Sequence, residues 1–212
     1  MKCRLKIRKI VSGGQTGADR AALDAAIAMR VAHGGWCPKG RCAEDGRIPA
    51  RYRLRETSTE AYAERTEANV VDSDATLIFT AGPPEGGSRQ TLEFALRHGR
   101  PWLHLDTARH PVEKAVQIIV KWLAALGTER RRLGAPNGIV LNVAGSRASA
   151  DPQIYAFVRT VMERVLRDVN RRAYARFRTV WRELLAAASP GQRLRRSILL
   201  RKPSHRSNQS DR

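Results

Sequence analysis

The residues best suited to chemistry stand in one run, Ser12-Gly13-Gly14-Gln15-Thr16-Gly17-Ala18-Asp19-Arg20, between an apolar stretch ending in Ile10-Val11 and an alanine-rich one. Gly13, Gly14 and Gly17 accept positive φ and bring the backbone close to a ligand with no Cβ in the way. Ala18 to Arg30 is rich in Ala and predicts a helix. The free N–H groups at its start, with the positive end of its dipole, suit a phosphate, carboxylate or oxyanion. Gln15, Thr16, Asp19 and Arg20 add polar groups that a turn serving only strand-to-helix packing does not need. The run lacks the Lys of a Walker A loop, and its glycines are spaced differently from Gly-x-Gly-x-x-Gly. Where an acid for a ribose hydroxyl would stand, about 20 residues on, the chain reads His33-Gly34-Gly35-Trp36.

A second glycine turn, Gly82-Pro83-Pro84-Glu85-Gly86-Gly87-Ser88, follows Asp74 to Thr80, a β-branched and aromatic run that reads as a buried strand. Between the two turns lies a long polar loop, Cys37 to Pro49, carrying Lys39, Glu44 and Asp45. Loops of that length in compact domains are functional or disordered. Glu93, on the helix after the second turn, reads as a solvated or capping carboxylate before it reads as a general acid or base. Cys37 and Cys42 have no second Cys or His pair nearby, which falls short of the four ligands of a zinc site. A thiolate also suits a soft metal such as molybdenum, but the spacing assigns no metal ligands. The five histidines show neither triad nor metal spacing.

The elements that must position these groups alternate. Residues 6–11, 31–36, 74–80, 102–105 and 138–144 read as strands; 18–30, 62–71, 89–98, 111–126 and a segment opened by Asp151-Pro152 read as helices. This alternation predicts an α/β, Rossmann-like three-layer sandwich with a mainly parallel sheet covered on both faces. With right-handed crossovers the expected strand order is 2-1-3-4-5, reversing between the first strand and Asp74–Thr80. Both glycine turns then border one crevice at the carboxyl ends of the strands.

From Ile154 apolar residues recur every three or four positions through Phe157, Val161, Val165, Val169, Phe177 and Trp181, with Arg abundant between them, until Ser189-Pro190-Gly191. The expected division is a ligand-binding domain over 1–168, a basic helical extension over 169–190 and a disordered basic tail over 191–212. The 212 residues carry a net charge of +19, and residues 159–212, with 15 Lys and Arg against 4 Asp and Glu, hold +11 of it. An acidic partner or nucleic acid is the lesser reading of that tail; the prevalence of Ala and Arg over Lys points to composition and a solvated segment. No apolar run reaches 18 residues, so no membrane span is expected. The basic start, Met1 to Leu5, leads straight into a strand with no cleavable apolar segment. Three cysteines fit a reducing cytosol, and a cytoplasmic location is expected.

SGGQTGADRAALDAA, HGGWCPKGR with AEDG, YAERTEANVVDSDATLIF, GGS with Thr91 behind it, GRPWLHLD and LNVAGSRAS together resemble the molybdenum carrier family, within the broader SLOG group of Rossmann-like proteins that includes the lysine-decarboxylase-like proteins. The resemblance runs from about Lys6 to about Leu166. It implies an oligomeric protein that binds a phosphorylated nucleotide or a pterin, such as the molybdenum cofactor, at the two glycine loops. On that resemblance Gly13, Gly14, Gln15, Thr16 and Gly17 wrap a phosphate with Asp19 and Arg20 beside it. Gly86, Gly87, Ser88 and Thr91 form the second phosphate turn. Lys39, Glu44 and Asp45 close over the ligand, and Asn142 and Arg147 reach the crevice from the last strand. Ser146 and Cys42 stand where the family more often has Pro and Arg. The cytokinin-activating phosphoribohydrolases offer the alternative, a nucleotide-processing hydrolase. Their Pro-Gly-Gly-x-Gly-Thr-x-x-Glu corresponds here to Glu85-Gly86-Gly87-Ser88-Arg89-Gln90-Thr91-Leu92-Glu93, without the third glycine and with a shorter Thr-to-Glu spacing.

Overall fold

The computed structural model describes residues 5–135 and 138–187, with the side chains of the last helix described as far as 170. The chain divides into two compact units, residues 1–173 and 174–212. The expected disordered tail, 191–212, lies outside the described residues, as do the side chains of Phe177 and Trp181.

The main sheet is built from β1 (Lys6–Val11), β2 (Ala32–Gly34), β7 (Ala75–Thr80), β8 (Trp102–Asp106) and β9 (Gly138–Gly145). Every pairing in it is parallel. Among the described residues five helices accompany it: α1 (Ala18–Ala28), α2 (Tyr62–Val71), α3 (Gly86–Arg97), α4 (Val112–Arg132) and α5 (Ile154–Ala187). The fold is the expected Rossmann-like α/β class. Strands 139–143 and 75–80 are buried throughout and mostly apolar, with Thr76, Thr80 and Asn142 the polar exceptions, as parallel strands between helical layers must be.

The order of the strands is not the expected 2-1-3-4-5. It is β2-β1-β9-β7-β8, so the last strand lies between the first and β7. The physical reason is burial. Ile139-Val140-Leu141-Asn142-Val143 is buried on both faces, which only an inner strand can satisfy, whereas Trp102 to Asp106 is largely half-exposed and suits an edge. Asp74 locks the insertion: its carboxylate accepts the Val140 N–H at 2.7 Å and pairs with Arg130 at 3.0 Å, and its own N–H donates to the Val140 carbonyl at 2.8 Å.

α1 packs through alanine. Ala18, Ala21, Ala22, Ala25 and Ala26 are fully buried, a stripe at helical spacing whose small side chains let the helix lie close to the sheet. α4 and α5 join the same apolar cluster through Ala115, Ile119, Leu123 and the run from Ile154 to Val169. The Asn170 amide extends the sheet edge-wise, donating to the Ile7 carbonyl and accepting its N–H, both at 3.2 Å, where β1 carries an irregularity between Ile7 and Lys9. A smaller cluster of Val70, Phe94 and Ala95 joins α2 to α3.

The long loop is more ordered than a polar loop promises. It holds β3 (Trp36–Cys37), a 3-10 turn over Lys39–Arg41, a hairpin of β4 (Cys42–Ala43) and β5 (Gly46–Arg47), and β6 (Arg55–Glu56) paired with β3. Arg41 organises it, donating to the carbonyls of Ile48, Pro49, Tyr52 and Leu54 at 2.9–3.2 Å. Ile48, Tyr52 and Leu54 pack with Leu23 and Cys37 into a second apolar cluster, which straps the loop to α1. The helix expected from Arg89 begins earlier, at Gly86, so the second glycine pair is the first turn of α3.

Candidate functional site

A cavity of about 560 Å³ opens at the carboxyl ends of the strands, the place where open parallel sheets bind ligands. Four segments wall it. Gln15 and Asp19 come from the β1–α1 turn; Tyr62, Arg65 and Thr66 from the first turns of α2; Thr80 to Thr91 from the β7–α3 turn and the start of α3; Ala144 to Asp151 from the turn after β9. The two glycine turns therefore border one cavity, with the end of β9 between them rather than side by side as the expected strand order had them.

The predicted residues divide. Gln15, Asp19, Gly86, Gly87, Ser88, Thr91 and Arg147 line the cavity. Gly13, Gly14, Thr16, Gly17, Arg20, Lys39, Glu44, Asp45 and Asn142 do not, and most of them have other work. A Cβ at Gly13 would overlap the Arg65 guanidinium, one at Gly14 would come within 2.5 Å of Leu54, and one at Gly17 would overlap the Ser146 carbonyl oxygen. Arg20 forks onto Asp45, one arm at 2.7 Å. Glu44 accepts from Thr16, from the Ser149 N–H at 3.2 Å and from the Ser149 hydroxyl, while its own N–H donates to Gln15 Oε1 at 3.0 Å. Desolvation pushes the Glu44 pKa up, but the hydrogen bonds from Ser149 and Thr16 outweigh it and hold the carboxylate below its ordinary value. These two acids tie the loop to the first turn. Lys39 is exposed on its 3-10 turn, and Asn142 is buried within the sheet, 3.4 Å from Thr76 Oγ1.

The first turn is answered largely from inside the protein. Gln15 N–H donates to the Asp19 carboxylate at 3.2 Å, Thr16 N–H to Gln15 Oε1 at 3.0 Å, and Ala18 N–H to the Ser146 carbonyl at 3.1 Å. Asp19 is buried and pairs with Arg65 at 3.1 Å. Burial pushes its pKa up, against the attraction of Arg65 and the Gln15 N–H. Arg65 Nε is also buried and has no partner among the described residues.

The second turn is open. Ser88 and Arg89 return their N–H groups to the Glu85 carbonyl, at 3.0 and 3.2 Å, while Gly86 and Gly87 send theirs to no protein acceptor among the described residues. A Cβ at either glycine would meet nothing within 4 Å. Thr80 and Asp106 hold this turn in place. The Thr80 hydroxyl donates to the Gly82 carbonyl and lies 2.7 Å from His104 Nε2, and Asp106 accepts the Gly82 N–H at 2.9 Å. Burial lowers the His104 pKa, against the attraction of Asp106.

Tyr62, Arg65, Thr66, Thr80, Gln90 and Asp151 also line the cavity, and no motif in the sequence marks them as site residues. One signal was present for α2. Tyr62, Arg65, Thr66 and Asn69 stand at i, i+3, i+4 and i+7, a polar stripe where an amphipathic helix of an α/β domain should present an apolar one. Glu93, by contrast, is exposed, pairs with Arg89 at 3.0 Å and does not line the cavity. No group of three or more His, Cys, Asp or Glu suited to a metal occurs among the described residues, and Cys37 is buried while Cys42 is exposed. No helix among those residues is long and apolar enough to cross a membrane.

A parallel sheet with helix starts and glycine turns gathered at its carboxyl edge defines a Rossmann-like α/β protein. The chain belongs to the circularly permutated YpsA SLOG family, whose model matches residues 10–166. A solved structure, named "Putative molybdenum carrier protein" from Syntrophus aciditrophicus, is similar over 77% of this chain and 97% of that one, with 46% sequence identity and a TM-score of 0.70. No curated protein matches.

Proposed function

We propose that this protein binds and carries a phosphorylated heterocycle, a nucleotide or a pterin of the molybdenum-cofactor type, in the cavity at the strand ends. The observation that carries the reading is the start of α3. Gly86 and Gly87 line the cavity at the positive end of a 12-residue helix, and among the described residues their N–H groups have no acceptor and no side chain lies within 4 Å of where a Cβ would stand. Arg147, on the turn after β9, faces the same space and supplies a cation. The similarity to a structure named as a molybdenum carrier favours a pterin ligand. The residues lining the cavity include neither Cys nor His, so a molybdenum cargo would be held through the organic ligand's own atoms rather than by soft protein ligands. The hydrolytic reading has no comparable support, because Glu93 stands outside the cavity.

The test is native mass spectrometry of the full chain purified from its own host, with identification of released small molecules and metal analysis. The expected result is a phosphorylated pterin or nucleotide in stoichiometric amount, with molybdenum if the ligand is the cofactor. A co-purifying ligand without a phosphate, or no affinity for any nucleotide or pterin phosphate on later titration, overturns the reading.

A further inference from the structure

Among the described residues that line the cavity, Tyr62 is the one aromatic, and it is 45% exposed. Its hydroxyl has no hydrogen-bond partner among the described residues. The other tyrosines with described side chains are used differently: Tyr52 and Tyr155 both donate to Asp24, at 3.0 and 2.7 Å, and tie the strap and α5 to α1. Tyr62 ties nothing together. A large ring left open on the first turn of a helix, with an unused hydroxyl, contributes little to the fold.

The ring is nevertheless held. The Arg65 guanidinium carbon lies 5.6 Å from its centroid, and Arg65 is itself fixed by the pair with Asp19. An aromatic ring in contact with an anchored cation and lining a cavity suits a planar heterocycle, since purines and pterins stack through their π-faces. A bare oxyanion or a sugar phosphate would make no use of it.

We infer that Tyr62 is the residue that reads the ring of the ligand, by stacking, while the start of α3 holds the phosphate. The inference rests on the reading of the cavity as a phosphate-ligand site. Tyr62 thereby sets specificity: it separates ring-bearing phosphates from the sugar phosphates and inorganic phosphate that the glycine turn accepts equally well.

The experiment is calorimetric titration of the full chain with AMP, neopterin phosphate, ribose 5-phosphate and inorganic phosphate, in wild type, Tyr62→Phe and Tyr62→Ala. Thermal melts serve as a folding control, and the exposure of Tyr62 predicts that both variants fold. At least one ring-bearing phosphate should bind about ten- to a hundredfold tighter than ribose 5-phosphate. Tyr62→Ala should erase that margin and leave ribose 5-phosphate affinity unchanged, and Tyr62→Phe should keep the margin. A margin that survives in Tyr62→Ala overturns the platform. If ribose 5-phosphate or phosphate binds and neither ring adds affinity in wild type, the platform falls while the phosphate reading stands. If none of the four binds, the phosphate reading falls and the platform with it.

Discussion

The two glycine turns resemble one another in sequence and differ in what already occupies them. At Gly13–Gly17 the glycines make room for the protein itself: the Arg65 guanidinium over Gly13, Leu54 against Gly14, the Ser146 carbonyl against Gly17. An acid, Asp19, stands in the first turn of α1 and takes the Gln15 N–H. At Gly86–Gly87 the glycines make room for nothing among the described residues, and their N–H groups find no acceptor there. A glycine-rich loop before a helix is thus two different devices. One closes a joint where three segments meet; the other leaves a vacancy at a helix dipole. Only the neighbours tell them apart.

The sharpest way to break this comparison is Gly17→Ala. Gly17 has φ 73° and ψ −127°, a conformation that costs an L-residue strain, and the new methyl would press on the backbone oxygen of Ser146, which cannot move without shifting the turn after β9. The expected loss is at least about 3 kcal/mol of unfolding free energy, read by urea denaturation of the full chain. A loss under about 1 kcal/mol would show that the first turn is as open as the second. Gly14→Val, an obvious probe of phosphate binding from the sequence, is a packing mutant for the same reason, since its side chain would enter the Leu54 and Ile48 cluster.

This contrast also marks how far the sequence could be read. The elements were legible because their patterns are local: the alanine stripe of α1 and the β-branched run of Ala75–Thr80 each announce themselves. The convergence of the two turns was legible too, because parallel strands put all such turns on one edge. Strand order was not read, although a clue stood in the chain. Ile139 to Leu141 is apolar on successive positions and Val143 follows, with Asn142 the one polar residue among them, whereas His104 and Asp106 interrupt the strand of Trp102, and only the former suits an interior place. The roles of Glu44, Asp45 and Arg65 were beyond local patterning. Each depends on a partner 25 or more residues away, Asp45 on Arg20, Glu44 on Thr16 and Ser149, Arg65 on Asp19. A charged loop residue looks the same in sequence whether it waits for a ligand or is already spent on a neighbour.

Glu44→Gln measures how much of the first turn's closure is electrostatic. The folded state holds Glu44 below its ordinary value near 4.5, so the unfolded chain takes up its proton first as pH falls. The stabilisation is fully present above the unfolded value and is lost as pH drops through the folded one. At pH 7 the variant should be about 1–2 kcal/mol less stable than wild type, because a neutral amide accepts more weakly from Ser149 and Thr16. Denaturation at a series of pH values should show that deficit shrinking below about pH 4.5. A deficit independent of pH would mean that shape rather than charge ties Glu44 to the turn.

Gly87→Ala gives the smallest change in stability and the most direct test of the open turn. Gly87 has no positive φ among the values that strain an L-residue, sits in the first turn of α3 and has open space where a Cβ would go. Alanine restricts the unfolded chain and favours the helix, so unfolding free energy should stay level or rise by up to about 1 kcal/mol. The same methyl would stand between the Gly86 and Gly87 N–H groups and a bound phosphate, so affinity for AMP or neopterin phosphate, whichever the wild type binds, should fall at least about tenfold, a loss of about 1.4 kcal/mol. Stability and affinity then move in opposite directions, which no packing defect can produce. If both fall together, the second turn is a joint like the first. If stability holds and affinity is unchanged, the ligand's phosphate lies elsewhere along the cavity, and the contrast between the two turns loses its functional meaning.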